Sequence, residues 1–210
     1  GLALILFLTF HMSMNLVALF SEEGYNAICE FLGANWYALV GTMGLAFLFI
    51  VHIVSAFILT YQNRKARGND RYGVVDKPKG VEWASQNMMA LGVVVILGLA
   101  LHFFNFWAKM QLAEIIGQHD LGIDGVSGPT DGGGLIRNTF SNPIFVVLYL
   151  VWLVALWFHL SHGFWSSLHT IGFNNKIWFN RLRCLSNVYT TIIVLGFAVV
   201  VLYYFIQSLC

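Results

Sequence analysis

Residues 143–168 read PIFVVLYLVWLVALWFHLSHGFWSSL, a run without a single Asp, Glu, Lys or Arg. At about 1.5 Å per helical residue, such a run is long enough for the roughly 30 Å hydrocarbon core of a bilayer. Stretches 1–20, 36–60, 83–108 and 187–208 have the same character. None shows the strict alternation of a membrane β-barrel strand. Of the 210 residues, 58% are apolar, 16% aromatic and only 10% charged, whereas an ordinary soluble domain carries about a quarter charged residues. The apolar content excludes disorder, and the shortage of charge leaves too little polar surface for a soluble enzyme. Eleven Lys+Arg against ten Asp+Glu provide no basic field for nucleic acid. The expected fold is an all-α integral membrane protein, a single domain over residues 1–210 with five transmembrane helices and no internal repeat.

The charges orient the bundle. Loop 61–82 holds Arg64, Lys65, Arg67, Arg71, Lys77 and Lys79, and loop 169–186 holds Lys176, Arg181 and Arg183. The loops at 21–35 and 109–142 hold only Lys109 and Arg137, with Glu22, Glu23, Glu30, Glu114, Asp120, Asp124 and Asp131. The positive-inside rule then puts the second and fourth loops in the cytoplasm, the N-terminus inside and the C-terminus outside. The chain starts inside an apolar run at Gly1, with no initiating Met and no basic flank before it, so it is expected to continue N-terminally. A signal-peptide core is the rival reading, but the run continues to Phe20 without a cleavage-like site. Cys29, Cys184 and Cys210 are far apart and form no C-x-x-C, which removes covalent haem attachment and thiolate iron–sulfur ligation.

Every acidic residue falls in a loop or, like Glu82, at a span edge. The membrane interior holds histidines instead. His11, His52, His102 and His159 lie on four different expected helices, and His162 lies one turn beyond His159. Counting from the span ends, His11 and His102 fall roughly 9–14 Å below the outer surface, while His52 and His159 fall roughly 12–14 Å above the inner one. A single intramembrane histidine is as often a packed polar residue as a ligand. Two pairs at two matched depths are what two non-covalent haems b demand, each with one neutral imidazole on either ring face. Zinc fits less well, since each level offers two nitrogens and neither thiolate nor carboxylate. Spacing alone does not separate His159 from His162. His119 is expected to be exposed in an external loop. Gly41, Gly44, Gly92, Gly98 and Gly163 would allow close approach of a porphyrin or of a neighbouring helix. The long GPTDGGG-containing loop 109–142 reads as a plain external loop; it lacks the strand, Lys-Ser/Thr pair and helix start of a phosphate loop.

The runs GLALILFLTFHMSMNLVALF, WASQNMMALGVVVILGLALH and HLSHGFWSSLHTIGF resemble the single-chain dihaem cytochrome b subunit of succinate:quinone oxidoreductases. That group includes menaquinone-reactive succinate dehydrogenases and quinol:fumarate reductases. The resemblance covers about residues 1–175 and rests on GL-x(8)-HM in the first helix and H-x-x-x-G-[FL]-W-S in the fourth. It implies that the first four helices form a haem-binding bundle. In it His11 and His102 hold an outer haem b, and His52 and His159 an inner one. His159 is chosen over His162 because the family's ligand stands four residues before the Gly, here Gly163. Some members carry a carboxylate two residues before that ligand; Trp157 stands there, so a proton path through that carboxylate is absent.

The resemblance further implies an electron-transfer anchor in a bacterial cytoplasmic membrane. An iron–sulfur subunit, itself contacting a flavoprotein with FAD, would dock on the cytoplasmic face, and electrons would be exchanged with menaquinone near the outer haem. Glu30 is the candidate proton acceptor at that quinone, with an exposed loop acid as its plain alternative. Trp83 and His169, with Ser166, are the candidate contacts to the inner-haem propionates. The dicarboxylate chemistry would belong to the partner subunits. Two other readings are a haem-free structural anchor and a small histidine-based transporter. The second lacks inverted repeats and membrane acids.

Overall fold

The computed structural model describes residues 1–33, 35–68, 82–173, 175 and 177–210, and every regular element among them is a helix. Arg71, Lys77, Lys79 and Lys176, used above to orient the bundle, lie outside the described residues. Four helices are long and apolar enough to cross a membrane: α3 (Trp36–Arg67), a continuous helix over Met88–Ile115, α8 (Pro143–Thr170) and α9 (Phe179–Leu209). The first expected span forms the apolar helix α1 (Leu2–Val17), which with its 16 residues is shorter than the other four. A chain with this many long apolar helices is a multi-pass membrane protein, because in hydrocarbon only helices and closed barrels satisfy their own backbone groups.

The expected third span begins with a single turn, α4 (Trp83–Gln86), broken at Asn87. It then continues as α5 (Met88–His102), a π-helical segment (Phe103–Leu112) and the short α6 (Ala113–Ile115). The π segment starts on the residue after His102. Such i→i+5 winding is rare and collects at functional sites. Here it leaves Asn105 and Gln111 buried.

The long helices alternate in direction. At one end of the bundle Gly1 lies beside Ser167, and Glu82 meets His162 of α8 and Arg183 of α9. At the other end the Tyr204 hydroxyl of α9 donates to the Ala18 carbonyl just beyond α1, at 3.0 Å. The two termini therefore stand at opposite ends. α9 and α5 are both packed along α8, and α1 along α9. α3 differs: its main neighbour is α1, and none of its 32 residues is buried.

The end that carries the C-terminus is closed by two helices that the sequence reading took for loop. α2 (Glu22–Phe31) starts at Ser21, whose hydroxyl accepts from the Gly24 amide at 2.9 Å. α7 (Gly132–Phe140) lies inside the 109–142 stretch and is almost wholly buried, with Leu135, Ile136 and Phe140 at its core. The plain-loop reading of that stretch is thus corrected. Its three glycines are required by close packing rather than by a turn. A Cβ on Gly132 would strike Cys29 and Tyr25, and one on Gly133 would strike Glu22. The α7 N-terminus is capped by Asp131, which accepts from the Gly134 amide and from Asn26 of α2, both at 2.9 Å, and from the Ser127 amide at 2.9 Å. Asn26 in turn accepts from the Gly133 amide at 2.8 Å.

Burial alone would raise the Asp131 pKa, but the Ser127 and Gly134 amides, then Asn26 and the Ser127 hydroxyl, outweigh it and hold the carboxyl below the usual carboxylate range. A depressed folded-state pKa stabilises the protein above the unfolded value and stops doing so as pH falls through the folded one. Asp131→Ala is therefore expected to destabilise the cap by about 1–2 kcal/mol at neutral pH, with the gap to wild type closing in acid. Protease nicking of the 117–131 connection, followed against pH, measures it.

Candidate functional site

The four histidines expected to face the bundle interior come together as two pairs. His11 of α1 and His102 at the end of α5 have ring centroids 5.7 Å apart and ring planes at 81°. His52 of α3 and His159 of α8 are 6.1 Å apart at 85°. Each pair joins two helices far apart in sequence, and it is the helix packing that brings the rings face to edge. The His11–His102 pair sits among aromatic rings: Phe7 is stacked on His11 at 5.5 Å with Phe197 at 5.7 Å, and Phe106 and Trp152 lie at 5.2 and 5.8 Å from His102. The Trp152 indole is fixed by donating to the Val95 carbonyl at 3.1 Å. Gly98 is what admits it, since a Cβ there would run into the indole.

The second pair is more open. His159 Nδ1 is buried without a hydrogen-bond partner. Gly92 lies against the His159 ring, where an added Cβ would come within 3.8 Å of Cε1, while Gly41, Gly44 and Gly163 face open space. Buried polar atoms in native proteins nearly always have partners, and the His159 ring nitrogen, with Gly92 against the ring, has none within the chain. Among the described residues no three His, Cys, Asp or Glu side chains gather as a metal site. The donor set at each level is two imidazoles.

His162 points elsewhere. Its Nδ1 is 3.0 Å from Glu82 Oε2, which also accepts from Trp165 Nε1 at 3.2 Å, while Arg183 closes an ion pair on the other carboxylate oxygen. His162 is thereby tied to the end of the bundle and removed from the pair with His52. Trp83 lies against Phe158 at 5.1 Å and is largely exposed. His169 touches Trp165 and Phe179. Glu30 is an exposed side chain on α2, and His119 is exposed as expected. Two acids stand out that sequence reasoning did not single out as site residues: Glu82, already noted at a span edge, and Glu114, whose Oε2 is buried without a partner. No motif marks Glu114; it is the approach of Gly33, just beyond α2, that covers it.

No protein-family model matches this chain. No curated protein and no solved structure matches it either.

Burial would raise the Glu82 pKa, yet the hydrogen bonds from His162 and Trp165 and the Arg183 guanidinium bring it below the ordinary carboxylate range. Its stabilising contribution is present at neutral pH and lost as pH falls through that lowered value. Glu82→Gln is expected to cost about 1–2 kcal/mol near pH 7, as for a partly buried charged hydrogen-bond partner removed, and much less in acid. Thermal unfolding in detergent at two pH values measures the difference.

Proposed function

We propose that this chain is a membrane-anchoring dihaem cytochrome b that carries electrons between a cytoplasmic iron–sulfur and flavoprotein pair, of the succinate dehydrogenase or fumarate reductase kind, and a membrane menaquinone. The observation that carries the reading is the closing of His11 with His102 and of His52 with His159 into two ring pairs about 6 Å apart. A metal–imidazole nitrogen bond is about 2 Å. Two such bonds on opposite sides of one ion leave ring centres about 6 Å apart. A porphyrin already supplies four nitrogens to its iron, so two imidazoles complete the coordination, whereas a zinc site would need further protein donors. The residues present fit haem b at both levels.

When bound, haem supplies one-electron transfer at each level. The chain's own residues hold and insulate it. His11 and His102 hold the outer group within a ring of aromatic side chains that keeps water out, and His52 and His159 hold the inner one against Gly92. Phe7 and Trp152 limit the tilt of the outer imidazoles. Trp83 and His169, at the end of the bundle where Glu82 gathers its donors, are the residues that would meet inner-haem propionates. With the basic ends of α3 and α9 inside, the N-terminus is cytoplasmic, the C-terminus is outside, and Arg64, Lys65 and Arg67 face the docking partner. α1 then completes five crossings.

Two measurements test this. A reduced-minus-oxidised spectrum of the purified protein with haem quantified per chain is expected to give two b-type haems. His159→Ala is expected to lose one and His162→Ala none; a colourless wild type, or loss with His162→Ala alone, overturns the assignment. For orientation, a membrane-impermeant maleimide applied to intact cells is expected to label the exposed Cys210, while exposed Cys184 labels only in inverted vesicles. Burial pushes the Cys29 thiol up to about 11, so its thiolate is scarce at pH 7 and Cys29 stays silent on either side.

A further inference from the structure

We propose that the end of the bundle bearing the C-terminus holds a phospholipid by its head group, and that this head group is phosphoethanolamine. Only the multi-pass character of the chain is needed for this, and not haem. A cavity of about 290 Å³ opens where α7 and α9 finish, lined by Asp124, Arg137, Asn138, Ser141, Gln207 and Ser208. Ligand sites run from about 300 to 1,000 Å³, so the cavity has room for a head group and not for a whole lipid. Gly134 lets the wall close up. A Cβ there would stand 3.0 Å from the Gly125 carbonyl and crowd the Asp124 loop away from α7.

The wall offers mostly acceptors. The Ser141 hydroxyl donates to the Asn138 carbonyl at 2.8 Å, and the Ser208 hydroxyl to the Phe205 carbonyl at 2.6 Å. With their protons committed to their own helices, both oxygens present only lone pairs to the cavity. Asp124 is exposed and adds a carboxylate tied to no other side chain among the described residues, whereas Glu22 is taken by Arg137 and Asp131 by its cap donors. The last turns of α7 and α9 bring the negative ends of two helix dipoles to the same place. An ammonium, with three donors and no acceptor, answers such a wall. Arg137 supplies the opposite charge. One nitrogen of its guanidinium goes to Glu22, and the other N–H groups remain for a phosphate.

Ammonium and phosphate in one small head group make phosphoethanolamine. Choline has no N–H and is recognised by aromatic rings, none of which lines this cavity. A phosphoglycerol head brings no cation to Asp124. A calcium ion would want several carboxylates, and among the described residues no three metal-ligating side chains gather. That the occupant is a lipid follows from place. Ser141 stands two residues before α8, and Gln207 and Ser208 lie in the last turn of α9, so the cavity is level with the ends of two membrane-crossing helices. Ile144 of α8 and Leu202, Tyr203 and Ile206 of α9 are exposed within two turns of it and give acyl chains an apolar wall.

The test follows thermal unfolding of the purified protein in detergent against added dioctanoyl phosphatidylethanolamine, phosphatidylcholine or phosphatidylglycerol, free phosphoethanolamine, and calcium. The melting temperature is expected to rise and saturate with the ethanolamine lipid alone, since a ligand bound only by the folded state stabilises it. Asp124→Asn is expected to bind that lipid about tenfold more weakly, as for one charge-assisted hydrogen bond removed. Glu23→Gln, an exposed acid of α2 outside the cavity, is expected to bind it as wild type does. An equal rise with the choline or glycerol lipid, or with calcium, overturns the head-group assignment. An equal rise with free phosphoethanolamine overturns the lipid. Binding unchanged in Asp124→Asn overturns the site. Should Asp124→Asn not fold, Ser208→Ala decides: it must weaken binding, and unchanged binding overturns the site. Haem content of the same preparations is read separately, and a colourless protein that still responds to the ethanolamine lipid alone loses the dihaem reading and keeps this one.

Discussion

The hydrocarbon interior offers no water to a polar side chain, and an imidazole placed there must find its partner inside the protein. That constraint governs how this bundle is arranged. Four histidines lie on four helices, and the helices cross so that each ring meets another at about 6 Å. Interhelical hydrogen bonds also occur: Trp152 reaches the Val95 carbonyl, and Trp157 donates to Thr191 at 2.9 Å. Those contacts join neighbours whose packing is already close. The histidine pairs link α1 to α5 and α3 to α8, and they do so at two different levels of the bundle.

The end bearing the C-terminus is built differently, because its polar groups lie where the long helices finish. Asp131 and Asn26 exchange donors and acceptors between α2 and α7, and Arg137 pairs with Glu22 on the same two helices. The apolar layer beneath, with Tyr25, Ile136, Phe140, Tyr149 and Tyr204, joins this lid to α8 and α9. A rigid lid of this kind fixes the end of α2, and with it the Gly33 backbone that covers Glu114. The glycine run 132–134 is central to the arrangement, since a side chain at Gly132 or Gly133 would push α7 off α2 and one at Gly134 would strike the capping Asp131.

Much of this was legible in the primary structure, for a definite reason. Long uncharged runs identify membrane helices one at a time, and the depth of a residue along a helix follows from counting. Counting alone therefore matched His11 with His102 and His52 with His159. Where the reading fell short, the cause was packing between residues far apart in the chain. Glycine-rich residues 125–134 have the composition of a loop, and only their neighbours Cys29, Tyr25 and Glu22 make part of them a helix start. The π winding after His102 changes which side chains face inward and has no composition of its own. Glu30 and Glu114 are both carboxylates of expected loops; folding exposes one and buries an oxygen of the other.

α3 is the element whose packing is least explained by protein contacts alone. It has 32 residues without one buried, and at about 1.5 Å per residue it is about 48 Å long, well beyond the roughly 30 Å core. Its last turns, with Arg64, Lys65 and Arg67, therefore stand clear of the hydrocarbon. Lipid can solvate its apolar sides, but lipid gives no orientation to His52. The haem proposed between His52 and His159 would supply it. On the dihaem reading that group is part of the fold: a ligand that binds only the assembled helices stabilises them by mass action, and α3, with the fewest protein contacts, depends on it most. On the same reading that looseness would leave the basic end of α3 free to follow the proposed docking partner. The wall of the inner site and the docking face would then be one helix, rigid along its length and lightly held by its neighbours.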